Sequence, residues 1–227
     1  MFTHFKIKFF LTIFILILPN YLTATEFNEI KKLAEKGDAV AQNRLGALYL
    51  VGTSAPKNEV LALKWIKKSA MNGNANAQGT LGAMYAEGFI VSKSNKISKE
   101  WYELSAQQGY PASQTNLGFI YLRGVGEPVN NFKAFEWFEK SANQGDSTAQ
   151  VALAGMYFEG KGIPRNDALA AKWYEESAKN EHPTAQLIIA GMYVHGWGVK
   201  ENETKAKYWY KKACDNGIEE ACLRINQ

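Results

Sequence analysis

Apolar side chains return along this chain in two alternating helical patterns. Ala77, Leu81, Met84 and Tyr85 fall about one turn apart and predict one buried stripe. Trp101, Tyr102, Ser105 and Ala106 predict a second helix further on. The pair then recurs. Trp65, Trp101, Trp137, Trp173 and Trp209 are each 36 residues apart. Tyr49, Tyr85, Tyr121, Tyr157 and Tyr193 keep that interval, as do Gln42, Gln78, Gln114, Gln150 and Gln186. So do Gly52, Gly88, Gly124, Gly160 and Gly196. A fixed period in this range predicts stacked hairpins, each hiding its apolar side against its neighbour. Two helices of about three to four turns fit one period with short connections.

Polar residues punctuate the same period. Asn58, Ser94, Asn130, Asn166 and Asn202 precede the second helices and suit N-caps. Asp38, Asn74 and Asp146 precede first helices, and Pro111 and Pro183 suit a first helical position. Gly73, Gly109, Gly145 and Gly217 mark C-caps. Gly124-Val-Gly126, Gly160-Lys-Gly162 and Gly196-Trp-Gly198 read as tight turns between helices. The tryptophans, with Ile66, Tyr102, Phe138, Tyr174 and Tyr210 beside them, are predicted to wedge between repeats as core. Ala70, Ala106, Ala142 and Ala178 let helices approach closely.

The string Ala-Gln-x-x-Leu-Gly-x-x-Tyr-x-x-Gly, as in Ala77-Gln78, Leu81-Gly82, Tyr85 and Gly88, is followed by Ala-x-x-Trp-Tyr and a small pair. It resembles the Sel1-like repeat, a relative of the tetratricopeptide repeat. The resemblance implies an all-α, α/α solenoid: a right-handed superhelix of five helical hairpins, with an adaptor role in protein complexes. The expected units are 38–73, 74–109, 110–145, 146–181 and 182–217. The first two have Ser54 and Ile90 in place of the second turn glycine. The fourth and fifth have Ala154 and Ala190 where earlier units have glycine, with Gly155 and Gly191 following. The fourth ends in Asn180-Glu181 rather than glycine. These departures are expected to alter local helix angles and to leave the fold intact.

The ends differ in composition. Lys6 and Lys8 precede the apolar run Phe9 to Leu18, Pro19 ends it, and Leu22-Thr-Ala24 offers a small residue for cleavage. Residues 1–24 are therefore read as a signal peptide cut at Ala24/Thr25, against the alternative of an uncleaved anchor too short to cross the hydrocarbon comfortably. A periplasmic or secreted address follows, with no integral membrane segment after cleavage. Residues 25–37, with Phe27, Ile30 and Leu33 at helical spacing, form an N-terminal capping helix, and residues 218–227 a partial last helix. Cys214 takes a small-residue position and Cys222 the recurring glutamine position; in an exported chain they read as one disulfide, or else as two buried thiols. Their spacing is similar to that of secreted cysteine-rich Sel1 proteins of bacteria, which repeat it in every unit.

Charge excludes little but steers the choice. The whole chain carries +4; loss of Lys6 and Lys8 leaves 24 basic and 22 acidic side chains, a net charge of +2. That is too small to point to nucleic acid. His4, His182 and His195 are the only histidines, and no cluster has metal-ligand spacing, so no metal, cofactor or catalytic residue is assigned. Ser54-Ala-Pro-Lys57 has the Ser-x-x-Lys form of penicillin-recognising enzymes, but Pro56 interrupts it and the companion Ser-Asp-Asn and Lys-Thr-Gly triplets are absent. A weak β-lactam-hydrolysing, cell-wall-active protein is the alternative this leaves.

The leading expectation is a non-catalytic scaffold for a protein or peptide of unknown identity. Its surface is sought on the first-helix faces opposite Leu45 and Tyr49, expected to be concave. The candidates are Leu50, Glu87, Thr115, Phe119, Leu122, Arg123, Val151, Phe158, Glu159, Leu187, Val194 and His195. The apolar ones line either a groove or the seam between adjacent first helices. On the groove reading, Phe119→Ala with Phe158→Ala abolishes capture and leaves the melting temperature nearly unchanged. Oligomeric state is not set by the sequence.

Overall fold

The structure is a computed structural model that describes residues 22–225. Among them are twelve helices: α1 (Ala24–Glu35), α2 (Ala39–Val51), α3 (Glu59–Met71), α4 (Ala75–Glu87), α5 (Asn95–Gln107), α6 (Pro111–Arg123), α7 (Asn131–Ala142), α8 (Ser147–Glu159), α9 (Asp167–Lys179), α10 (Pro183–His195), α11 (Glu203–Asp215) and α12 (Glu219–Arg224). Even-numbered helices from α2 to α10 are the first helices of the five repeats, and α3 to α11 the second. The chain divides into two compact units, residues 1–113 and 114–227, with the division inside α6.

The predicted caps form. In the first unit Asp38 Oδ1 accepts from Ala41 N at 2.7 Å, and Asn58, Asn74 and Ser94 cap α3, α4 and α5 likewise. In the second unit Asn130, Asp146, Asn166 and Asn202 do the same for α7, α8, α9 and α11. Pro111 and Pro183 stand first in α6 and α10. Each cap satisfies an orphan N–H and contributes about 1 kcal/mol.

In the first unit, α1 packs Ile30 and Ala34 against Ala41, Leu45 and Trp65. It begins one residue earlier than predicted, at Ala24, through a capping box. Thr23 Oγ1 accepts from Glu26 N, and Thr23 N donates to Glu26 Oε2 at 2.7 Å. Leu22 packs on the same cluster. The expected cut at Ala24/Thr25 would therefore remove the cap of this helix. Most of the signal-peptide reading, residues 1–21, lies outside the described residues.

The wedge is shared differently from the expectation. The residue after each tryptophan is buried throughout: Ile66 and Tyr102 in the first unit, Phe138, Tyr174 and Tyr210 in the second. Trp65 and Trp209 are buried as well, but Trp101, Trp137 and Trp173 are only half-buried. Glycine on the first helix admits the deeper ring. A Cβ at Gly82 would lie 2.6 Å from the Tyr102 ring, and one at Gly118 2.5 Å from the Phe138 ring. In the fourth and fifth repeats alanine fills that position, and the displaced glycines, Gly155 and Gly191, lie against the hydroxyls of Tyr174 and Tyr210 instead.

The recurring glutamine is a buried connector. In the second unit Gln150 Nε2 donates to Ala142 O and Gln186 Nε2 to Ala178 O, each at 3.2 Å, joining a first helix to the second helix before it. Their side-chain oxygens accept from Asn180 at 3.2 Å and Asn216 at 2.9 Å within the same repeat. In the first unit Gln42 and Gln78 bond Ala34 O and Ala70 O, and accept from Asn72 and Gln108. Breaking one such buried link leaves an unpaired polar group, at a cost of about 1–3 kcal/mol.

The same junction after the fifth repeat is covalent. Cys214 and Cys222 form a disulfide with Cα atoms 4.8 Å apart, where Ala178 and Gln186 make a hydrogen bond one repeat earlier. The final helix has no side-chain N-cap, so the bridge supplies what its own first turn lacks.

Two sequence departures leave the local backbone unchanged. Glu181 adopts φ 60°, the left-handed region that Gly145 and Gly217 occupy, and keeps the terminal bonds Glu181 N to Ala178 O and His182 N to Ser177 O. Ile90 adopts φ 63°, like Gly162 and Gly198 in the same turn. A β-branched residue in this region is strained, and the neighbouring packing holds it there.

Candidate binding surface

The candidate positions divide by depth. In the first unit Leu50 is buried with Ala62, Ile66, Leu81 and Met84, so it is core and not surface. Thr115, in the second unit, is also buried. Its hydroxyl and Ser141 Oγ lie 2.8 Å apart in a hydrogen bond. Both corrections have one cause: facing away from Leu45 or its equivalents does not mean facing water when neighbouring helices cover that side.

Five more are half-buried. Phe119 meets Phe138 edge-on at 4.9 Å, and Leu122 packs on the same cluster. Val151, Phe158 and Leu187 pack on the last cluster, around Ile189 and Tyr193. These side chains pack against the core clusters of their own unit and are only partly open to water. The paired truncation of Phe119 and Phe158 is accordingly expected to cost stability.

What stays exposed lies at the C-terminal ends of the first helices: Glu87 in the first unit, and Arg123, Glu159, Val194 and His195 in the second. The Arg123 guanidinium sits 4.8 Å from the Phe119 ring, and burial of its surroundings lowers its pKa from the usual arginine value. Glu159 pairs with Lys161.

One exposed aromatic outside these candidates stands beside two of them, His195 and Phe158. Trp197, in the turn after α10, is 47% exposed. Its ring lies 4.7 Å from His195 and 5.7 Å from Phe158. The Arg165 guanidinium covers Phe158 at 5.2 Å while bonding Asp167 with two N–H groups at 2.7 and 2.8 Å. Gly196 and Gly198, at φ 66° and 67°, fix the turn, and a Cβ at Gly198 would collide with the Asp167 carbonyl. Trp197 is thus held by its turn backbone and by ring contacts to His195 and Phe158 while staying half exposed. A signal for it exists in the sequence: a tryptophan between two turn glycines, outside the 36-residue tryptophan ladder, has no hairpin core to enter.

The chemistry the sequence raised does not assemble. Lys57 Nζ pairs with Glu59 Oε1 at 2.9 Å, and Ser54 Oγ has no hydrogen bond, so serine and lysine do not meet. Among the described residues no three His, Cys, Asp or Glu side chains gather to hold a metal. Burial raises the phenol pKa of Tyr102, and raises that of Tyr174 to about 12.

The comparisons agree with this architecture. The Sel1 repeat family model matches residues 39–74, 75–110, 111–146, 147–182 and 183–218. No curated protein matches the chain. Among solved structures, a Sel1 repeat protein from Oxalobacter formigenes is 28% identical, covers 87% of this chain and 86% of its own, and superimposes with a TM-score of 0.78. A protective antigen of uropathogenic Escherichia coli with an SLR fold is also 28% identical, over 88% of this chain and 50% of its own, at a TM-score of 0.60. An immunity protein from Pseudomonas aeruginosa, 18% identical over 85% of this chain and 74% of its own with a TM-score of 0.54, shares the fold alone. With five consecutive matches covering most of its length, this chain belongs to the Sel1 repeat family.

Proposed function

We propose that this protein is an exported, non-catalytic scaffold that captures a protein or peptide on the first-helix ends of its second unit, around Trp197. The preorganised, half-exposed Trp197 is the observation that carries this reading. Tryptophan and arginine dominate binding hot spots because they offer large contact area at low conformational cost. Arg123, Arg165, Glu159 and His195 supply a polar rim, and Val194, 44% exposed, adds apolar surface. The disulfide and the apolar run near the N-terminus support an exported address. Among the described residues no helix is long and apolar enough to cross a membrane.

The test places a photo-crosslinking residue at position 197, and separately at 104 on the outer side of α5, in the native envelope. Capture of a discrete protein from 197 and not from 104 is expected. Equal or absent capture from the two positions refutes the assignment of the surface. Hydrolysis of a chromogenic β-lactam by the purified protein, lost in Ser54→Ala, would establish the enzymatic alternative instead.

A further inference from the structure

Small net charge conceals an uneven distribution. On α3, Val60, Lys64, Lys67, Lys68 and Met71 follow one another at helical spacing along the side opposite Ile66 and Ala70. Val60 and Met71 are 76% and 78% exposed, Lys64 and Lys68 are exposed, and Lys67 is half-exposed. The helix carries one acid, Glu59, and Lys57 takes it at 2.9 Å. Among the described residues, none of the three lysines has an ion-pair partner; Lys68 lies over the Trp65 ring at 5.3 Å. The neighbouring α1, which meets Trp65 through Ile30 and Ala34, adds exposed Lys31 and Lys32 at the positions equivalent to Lys67 and Lys68. Its own acids are Glu26, tied to Thr23, with Glu29 and Glu35 also exposed, so the excess charge resides on α3. Later second helices differ: Lys99 pairs with Glu103, Lys179 with Glu176, and Lys207 with Glu203.

We infer that the outer face of α3, with Lys31 and Lys32 beside it, is a docking surface for an anionic lipid bilayer. Three features favour lipid over an acidic protein. The cations are all lysines, point charges that need no fixed geometry, whereas directional pairing with a folded partner favours arginine. Lysine is depleted at protein interfaces. Val60 and Met71 bracket the charges with apolar tips, the arrangement of a helix lying in the headgroup plane. The inner face of α3 is already committed to Ile66, Trp65 and Ala62, so the helix rests on the surface without inserting.

The test is sedimentation of the full chain with phosphatidylcholine vesicles, with and without phosphatidylglycerol. Any contribution of the apolar run Phe9 to Leu18 and of Lys6 and Lys8 beside it is common to the wild type and the variants, so the difference between them reports α3. Partition is expected to rise with phosphatidylglycerol and to fall with salt. Each lysine near an anionic surface contributes about fivefold, so Lys64→Gln, Lys67→Gln and Lys68→Gln together should lower the phosphatidylglycerol-dependent partition about a hundredfold. Val60→Ser with Met71→Ser should weaken it further at unchanged charge. Circular dichroism melting of each variant should stay close to the wild type, because these side chains lie at the surface and Lys68 alone meets a buried ring, that of Trp65. Equal partition onto both vesicle types, or a triple variant that partitions like the wild type, overturns the inference. A triple variant that unfolds is replaced by raised salt, which must abolish the same component.

Discussion

At the scale of single residues, position 182 shows how a side chain can satisfy a local rule and add a dependence of its own. His182 caps α10, its Nδ1 accepting from Ala185 N at 3.4 Å, where other first helices use Asp or Asn. Only neutral imidazole can accept there. Burial lowers its pKa below the ordinary 6.5, against smaller opposing effects of its own backbone and of Asp146. The unfolded chain thus takes up the proton first. The contribution is present above about pH 6.5 and is lost as pH falls through the folded-state value. Melting between pH 8 and pH 5 should show this loss, and His182→Asn, which caps at either pH, should reduce it. An unchanged pH profile in that variant would clear His182. Next to it, Glu181 holds a left-handed backbone that glycine adopts freely and glutamate adopts under strain. Glu181→Gly is expected to stabilise by about 1 kcal/mol, read as a melting temperature raised by about 2–4 °C.

At the scale of elements, what is legible in the sequence and what is not separate along one line. Caps, turns and the glutamine position are local or strictly periodic, so residue type and spacing alone assign Asn58, Asn130 and Gln150. The cysteine pair is legible because it replaces a periodic hydrogen bond at the same separation. Burial depth is not. Trp137 and Phe138 are adjacent and both aromatic, and only the packing of α7 against Gly118 shows which ring goes deeper. Leu50 and Thr115 escape the periodic pattern for the same reason, since their cover comes from neighbours far along the chain. The glutamate at 181 and isoleucine at 90 show that a repeat can impose its turn on a residue ill suited to it. The disulfide offers an element-scale prediction. Cys214→Ser with Cys222→Ser should remove about 2–3 kcal/mol from the anchoring of α12. Hydrogen exchange should quicken in α12 and stay unchanged in α2 to α5. Uniform quickening would mean that the bridge supports more than the last helix.

At the scale of the whole chain, five Sel1 repeats supply a scaffold fold of the kind that mediates protein–protein interaction. The two sides of the hairpins hold different chemistry. First-helix ends in the second unit carry Trp197, Phe158, Arg165 and His195. The outer side of α3 in the first unit carries Lys64, Lys67 and Lys68, which have no ion-pair partner among the described residues. Neither assembly is visible from composition. Net charge averages over the lysine face, and the tryptophan at 197 lies outside the 36-residue ladder that defines the repeats. Relatives of the same fold differ in what their names say of them, an antigen in one case and an immunity protein in another, so the fold alone names no partner.

The account's central claim is that Trp197 binds and does not support the fold. Measuring partner capture and melting temperature on one preparation of Trp197→Ala tests it most directly. Capture should fall at least tenfold while the melting temperature moves by no more than about 1–2 °C. Undiminished capture, or a fall of many degrees, would contradict it.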